Sequence, residues 1–195
     1  MKKFFIIFIL TLSFQSLCKA DDIRDFEIVG ISVGDSLNDH FNNNEIQDAL
    51  KSPTYYPKSK KYKVLFFNSK NRDLFDNFNI TIKSNNDSFI IEGLRGEKEM
   101  TINECKKTKL QHVKGAESIL QKTEKRDYES AYGNNYGNSK AYITEFTLPD
   151  KSIVRIYCAD FDDTNMLVKN NLWNDSLEVG FASKEFASFL LNEAY

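Results

Sequence analysis

The hydrophobic positions change period several times along the chain, and each change marks an element. Ser36 with Asp39 three residues on forms a capping-box pattern, which predicts a short helix from about residue 36 with Leu37 and Phe41 on one face. A second short helix is predicted over Asn44–Leu50, with Asn44 as cap and Ile46 and Leu50 turned inward. Pro53 and Pro57 bracket a loop. Three strands are then predicted, at Tyr62–Asn68, at Phe75–Lys83 with Phe78, Ile80 and Ile82 on one face, and at Ser88–Leu94. Thr101 and Glu104 form a second capping box, opening the longest helix, over about 102–126. Its apolar stripe is Ile102, Cys105, Leu110, Val113, Ala116 and Leu120.

Beyond that helix, Tyr128–Ser139 lacks apolar periodicity and is rich in Gly and Asn, so it is read as a polar connection. Lys140–Leu148 and Ser152–Ala159 form a predicted hairpin around Pro149-Asp150. A strand over Asp175–Ala182 follows, and Ser183 caps a last helix over 184–193 with Phe186, Phe189 and Leu190 inward. The expected order is α-α-β-β-β-α-β-β-β-α. Strand runs separated by a helix imply an α+β fold: an antiparallel sheet of about five to six strands packed by helices.

The first twenty residues break this pattern. Met1-Lys2-Lys3 is a short positive segment, Phe4–Phe14 is an apolar run, and Cys18 and Ala20 stand three and one residues before a cut preceding Asp21. That is the layout of a cleaved secretory signal, and the run is too short to span a bilayer, which needs about 20 residues. The competing reading is lipidation at Cys18, but bulky Leu17 stands where a lipobox places a small residue. The expected organisation is therefore a leader, 1–20, and one mature domain, 21–195, periplasmic or secreted and without a transmembrane segment.

Removing the leader takes away Lys2, Lys3 and Lys19 and no acid, so the net charge moves from −2 to −5. An acidic chain with no basic run argues against nucleic acid as partner. The 21 Lys against 5 Arg and 19 Asn against 9 Ala follow an AT-rich codon bias, which weakens any functional reading of Asn-rich loops. Three cysteines become a pair in the mature chain, Cys105 and Cys158, and an even pair in an exported protein is expected to be bridged.

Candidate chemistry is sparse. His40 and His112 show neither metal-ligand spacing nor a nucleophile or carboxylate partner recognisable in sequence, so no metal, cofactor or catalytic residue is assigned. Gly34-Asp35-Ser36-Leu37 is superficially similar to the nucleophile block of GDSL hydrolases, but no His follows His112 to complete that site. Asp160, Asp162, Asp163 and Asn165 offer oxygen ligands, yet Asn165 and Asn171 stand where a calcium loop needs Gly and Glu. The best binding surface is the segment carrying Tyr128, Tyr132 and Tyr136, where tyrosines beside Asn and Gly make adaptable contacts to a protein or a glycan.

Asp21–Ile28 running into Gly30–Leu37, with Cys105 and Cys158, resembles a group of small exported proteins from AT-rich marine alphaproteobacteria. That resemblance implies bacterial export and carries no catalytic residue over. The stretch Ile31–Leu37 is also similar, more faintly, to the helix start of envelope modules of the BamE and β-lactamase-inhibitor-protein kind, which precedes a small antiparallel sheet. The expectation is a non-enzymatic module that binds an envelope protein or glycan. The alternative is a small hydrolase or other envelope enzyme with a site the sequence does not reveal.

Overall fold

The computed structural model describes residues 22–68, 74–120, 122–171 and 173–195. The segment expected to be a leader, residues 1–20 with Cys18, lies outside the described residues.

The helix caps form as the local chemistry dictates. Helix α1 (Leu37–His40) starts at Ser36, whose hydroxyl accepts from Asn38 N–H while the Asp39 carboxylate takes the Ser36 N–H. Helix α2 (Asn43–Leu50) uses Asn42 and Glu45 in the same reciprocal way, so its cap is Asn42 and not Asn44. Thr101 and Glu104 cap α3 (Ile102–Ile119). Helix α4 (Met166–Asn171), which no apolar stripe announces, starts where the Asn165 side-chain oxygen accepts from Leu167 and Val168 N–H. Ser183 caps α5 (Lys184–Asn192).

The fold is α+β, as expected, but with more strands. A two-stranded ribbon, β1 (Glu27–Ile28) with β2 (Ile31–Ser32), precedes α1. The main sheet has eight antiparallel strands: β3 (Thr54–Tyr56), β4 (Ser59–Asn68), β5 (Asn77–Lys83), β6 (Ile91–Glu99), β7 (Glu124–Ala131), β8 (Lys140–Thr147), β9 (Ile153–Asp160) and β10 (Ser176–Ala182). Their spatial order is β3-β4-β5-β6-β10-β9-β8-β7. Two meanders of four strands, each preceded by helix, thus meet through their last strands, β6 and β10, which pair over seven positions from Gly93↔Ala182 to Glu99↔Ser176.

Besides the ribbon, two strands of the main sheet were not expected. Residues 124–131, expected to be the end of the long helix and the start of a polar connection, make β7, whose eight residues all pair with β8. Being at the edge, β7 is exposed along nearly its whole length and carries no apolar alternation. Residues 54–56 form the opposite edge, β3. Helix α3 correspondingly ends at Ile119, with Leu120 already extended and Lys122 in the left-handed region at φ 57°. Leu110, counted in the stripe from sequence, is 61% exposed, and the buried line runs through Cys105, Val113 and Leu120. The strand expected at 88–94 starts later, at Ile91, because Phe89 takes a positive φ and Ile90 bridges to Ser36.

One face of the sheet holds the main core. Leu65, Phe67, Phe78, Ile80, Leu94, Ile156, Leu177 and Phe181 pack there with α3 and with Phe26, Ile28, Leu37 and Ile46 of the N-terminal elements. Phe41 of the first turn region stacks on Phe67 at 4.1 Å between ring centroids. The Cys105–Cys158 disulfide bolts α3 to β9 across this face.

Candidate functional site

The opposite face of the sheet is only partly covered. Helix α5 crosses one end of it, where Phe186 and Phe189 pack on Tyr62, Ile153 and Ala182 in a second, smaller core. Phe186 lies directly over Gly93, where a Cβ would come within 2.5 Å of its ring, so the helix can sit there only because position 93 has no side chain. Beyond α5 the face opens into a groove of about 800 Å³, walled by Tyr55, Tyr56 and Leu190 on one side and Tyr132 on the other.

The register of the strands sets what the groove floor presents. Phe66 pairs with Asn79, Asn79 with Arg95, Arg95 with Gly180, Gly180 with Arg155, Arg155 with Glu145, and Glu145 with Arg126. Paired residues point to the same face, so these seven form one row across the sheet. Three of the chain's five arginines stand in it. The adjacent row runs Asn77, Glu97, Glu178, Tyr157, Ile143 and Tyr128.

The two rows lock together. Arg95 reaches Glu178 at 2.9 Å and donates to the Tyr157 hydroxyl at 3.0 Å, and that hydroxyl donates to Glu178. Arg155 holds Glu145 through Nη2 at 2.6 Å and Nε at 2.8 Å, and Glu145 also takes Arg126 at 3.1 Å and the Tyr128 hydroxyl at 3.1 Å. Asn79 turns its amide oxygen to Arg95 Nε at 3.0 Å. Both carboxylates are nearly buried, at 6% for Glu178 and 7% for Glu145, whereas Arg95 keeps 41% of its side chain exposed. Burial disfavours the Arg95 charge, but Glu178 and Tyr157 outweigh it and hold the guanidinium firmly protonated. Glu97 differs: burial first, then the neighbouring Glu178 charge, raise its carboxyl above the ordinary value, with Arg95 pulling the other way.

Gly180 stands between Arg95 and Arg155 in the row and leaves a hollow in the floor. A Cβ there would meet Leu94 O at 3.6 Å and Arg95 Cβ at 3.8 Å, both ordinary contacts. The result is a rigid floor of arginine planes and tyrosine rings around a hollow, walled by aromatic side chains. Such a surface suits recognition, because its side chains are already fixed before a partner arrives.

Of the three tyrosines singled out from sequence, Tyr132 and Tyr136 bring their rings to 6.2 Å between centroids, while Tyr128 stands apart from them. Tyr128 lies on β7, in the floor, with Arg126 over its ring at 4.6 Å. Tyr132 follows β7 and walls the groove, its ring 5.0 Å from Phe161, and burial raises its hydroxyl pKa. Tyr136 lies beyond, stacked on Trp173 at 5.2 Å. The acidic loop is spent on structure: Asp162 accepts from Asn138 N–H at 3.0 Å and Thr164 N–H at 3.0 Å and so fastens the tyrosine-bearing turn. Among the described residues no group of three or more His, Cys, Asp or Glu is placed to hold a metal.

His40 does have a carboxylate partner, contrary to the reading from sequence. Its Nε2 lies 2.8 Å from Asp35, which also accepts from Ser32 N–H at 2.9 Å. The adjacent Ser36 hydroxyl is engaged as the α1 cap and donates to Ser88 O at 2.9 Å. The arginine row was missed because register is invisible in the sequence. The available signal was the placing of Arg95, Arg126 and Arg155 within strand segments of a chain that otherwise uses lysine.

No protein-family model, curated protein or solved structure matches the chain.

Proposed function

We propose that the protein is a non-enzymatic binding module of the bacterial envelope, exported by its leader and docking a partner on the open face of the sheet. The observation that carries this reading is the arginine row. Guanidinium groups held flat by buried carboxylates and a tyrosine hydroxyl, beside a glycine hollow, make a stiff and partly desolvated surface. Tyrosine and arginine anchors of that kind dominate the energetics of protein interfaces. Tyr128 and Tyr132 belong to this surface, and Tyr136 supports its rim through Trp173.

Export is supported by the layout of residues 1–20 and by the Cys105–Cys158 bond, which suits an oxidising compartment. Among the described residues no helix is long and apolar enough to cross a membrane. An envelope protein is the favoured partner because the groove is long and open and its polar groups are already paired.

Affinity capture from envelope extract tests the reading, with the purified wild-type protein and the Arg155→Ala and Tyr132→Ala variants as baits. One partner recovered by the wild type and reduced by both variants supports it. Equal recovery on all three baits overturns the choice of surface.

A further inference from the structure

The two edges of the sheet are treated differently. Strand β3 has three residues, lies between Pro53 and Pro57, and shifts register between Tyr55 and Tyr56, three devices that discourage pairing. Strand β7 has eight residues, no proline, and an unbroken register with β8. Among the described residues nothing pairs with its outer side.

The hydrogen-bond phase of β7 follows from its end. Tyr132 N–H donates to Ser139 O, continuing the β7–β8 register, so the even-numbered residues of β7 bond inward to β8. Lys125, Asp127, Glu129 and Ala131 therefore point their N–H and C=O outward. A second β7 running antiparallel must place odd residues opposite odd ones to satisfy these groups. Two such registers overlap most of the strand. One sets Asp127 against Glu129, like charge on like. The other sets Lys125 against Glu129 twice, and on the other face Arg126 against Tyr128 twice, with the two Asp127 residues at the axis. Asp127 leans away from that axis, because its carboxylate accepts from Thr144 Oγ1 of β8 at 2.5 Å, and Lys125 of the same strand lies 3.4 Å from it.

We infer that β7 is a self-association edge: two copies of the chain join antiparallel through β7, with Lys125 opposite Glu129, into one continuous sheet. The two open faces then lie on the same side of the joined sheet, with the Arg126–Tyr128 pairs across the seam. This inference rests on the edge and not on the groove, so it stands or falls separately from the proposed partner.

Sedimentation of the purified protein from micromolar to millimolar concentration tests it. The expected result is a dimer whose mass halves in Glu129→Pro, which removes an outward N–H and leaves the β8 ladder intact. Circular dichroism reads whether that variant keeps its fold. Should it unfold, Glu129→Lys serves in its place: it sets like charges opposite each other and dissociates the dimer. The exchange Lys125→Glu with Glu129→Lys restores the dimer. A wild-type monomer at every concentration overturns the inference. So does a dimer unmoved by either single variant, or one that the charge exchange fails to restore.

Discussion

Arg95 and Glu178 face each other across the seam between the two four-stranded meanders, 2.9 Å from guanidinium to carboxylate. Each stands on the last strand of its half, so the ion pair joins the halves on the open face, as the apolar core joins them on the other. Glu178→Ala leaves Arg95 without its carboxylate. A fully buried pair broken this way costs roughly 3–5 kcal/mol. Arg95 is 41% exposed and can be rehydrated, so the expected loss is about 2 kcal/mol, read by urea denaturation.

Tyr62 is fully buried beneath α5, and among the described residues its hydroxyl finds no hydrogen-bond partner. Burial pushes that hydroxyl up to about 12. A buried donor left unpaired costs on the order of 1–3 kcal/mol. Tyr62→Phe removes the group and keeps the ring against Phe186 and Phe189. It is expected to stabilise the protein by about 1 kcal/mol, and thermal unfolding measures the gain as a rise of roughly 3 °C.

The Cys105–Cys158 bond closes a loop of 53 residues. The chain-entropy estimate puts its contribution at about 4 kcal/mol at most. The Cys105→Ala, Cys158→Ala double variant should lose up to that amount while α3 keeps its place through Val113 and Leu120. Mass spectrometry of the exported protein is expected to give a chain beginning at Asp21 that gains 2 Da on reduction.

Glu97 gives a pH signature of defined sign. Its folded-state carboxyl is raised above 4.5 by burial and by Glu178. As pH climbs past 4.5 the unfolded chain ionises this group first, so the folded state holds the extra proton and stability falls until Glu97 ionises in the fold as well. Glu97→Gln removes that loss. The variant should be more stable than wild type at pH 7, with the difference shrinking toward zero as pH falls below 4.5. Urea midpoints across that range check it.

How much of this was legible in the sequence depends on the range of the interaction. The caps at Ser36, Thr101 and Ser183 were readable because a side chain bonds a backbone three residues away. The strands of the first meander were readable where one face is buried, as at Phe78, Ile80 and Ile82. Strand β7 was not, because both its faces are exposed and neither imposes a period of two. The paired cysteines were readable from their parity once residues 1–20 were read as a leader. The arginine row was not: Arg95 and Arg155 become neighbours only through β10, whose Gly180 lies between them.

The central claim is that the partner docks on the open face of the sheet, and Gly180 tests it most directly. A Cβ at position 180 would make only ordinary contacts, so Gly180→Phe is expected to fold and to raise a ring into the hollow between Arg95 and Arg155. Leu110→Glu, on the exposed side of α3, serves as the control. In capture from envelope extract, the account predicts a partner recovered by the wild type and by Leu110→Glu and lost with Gly180→Phe. Undiminished recovery on Gly180→Phe would contradict it.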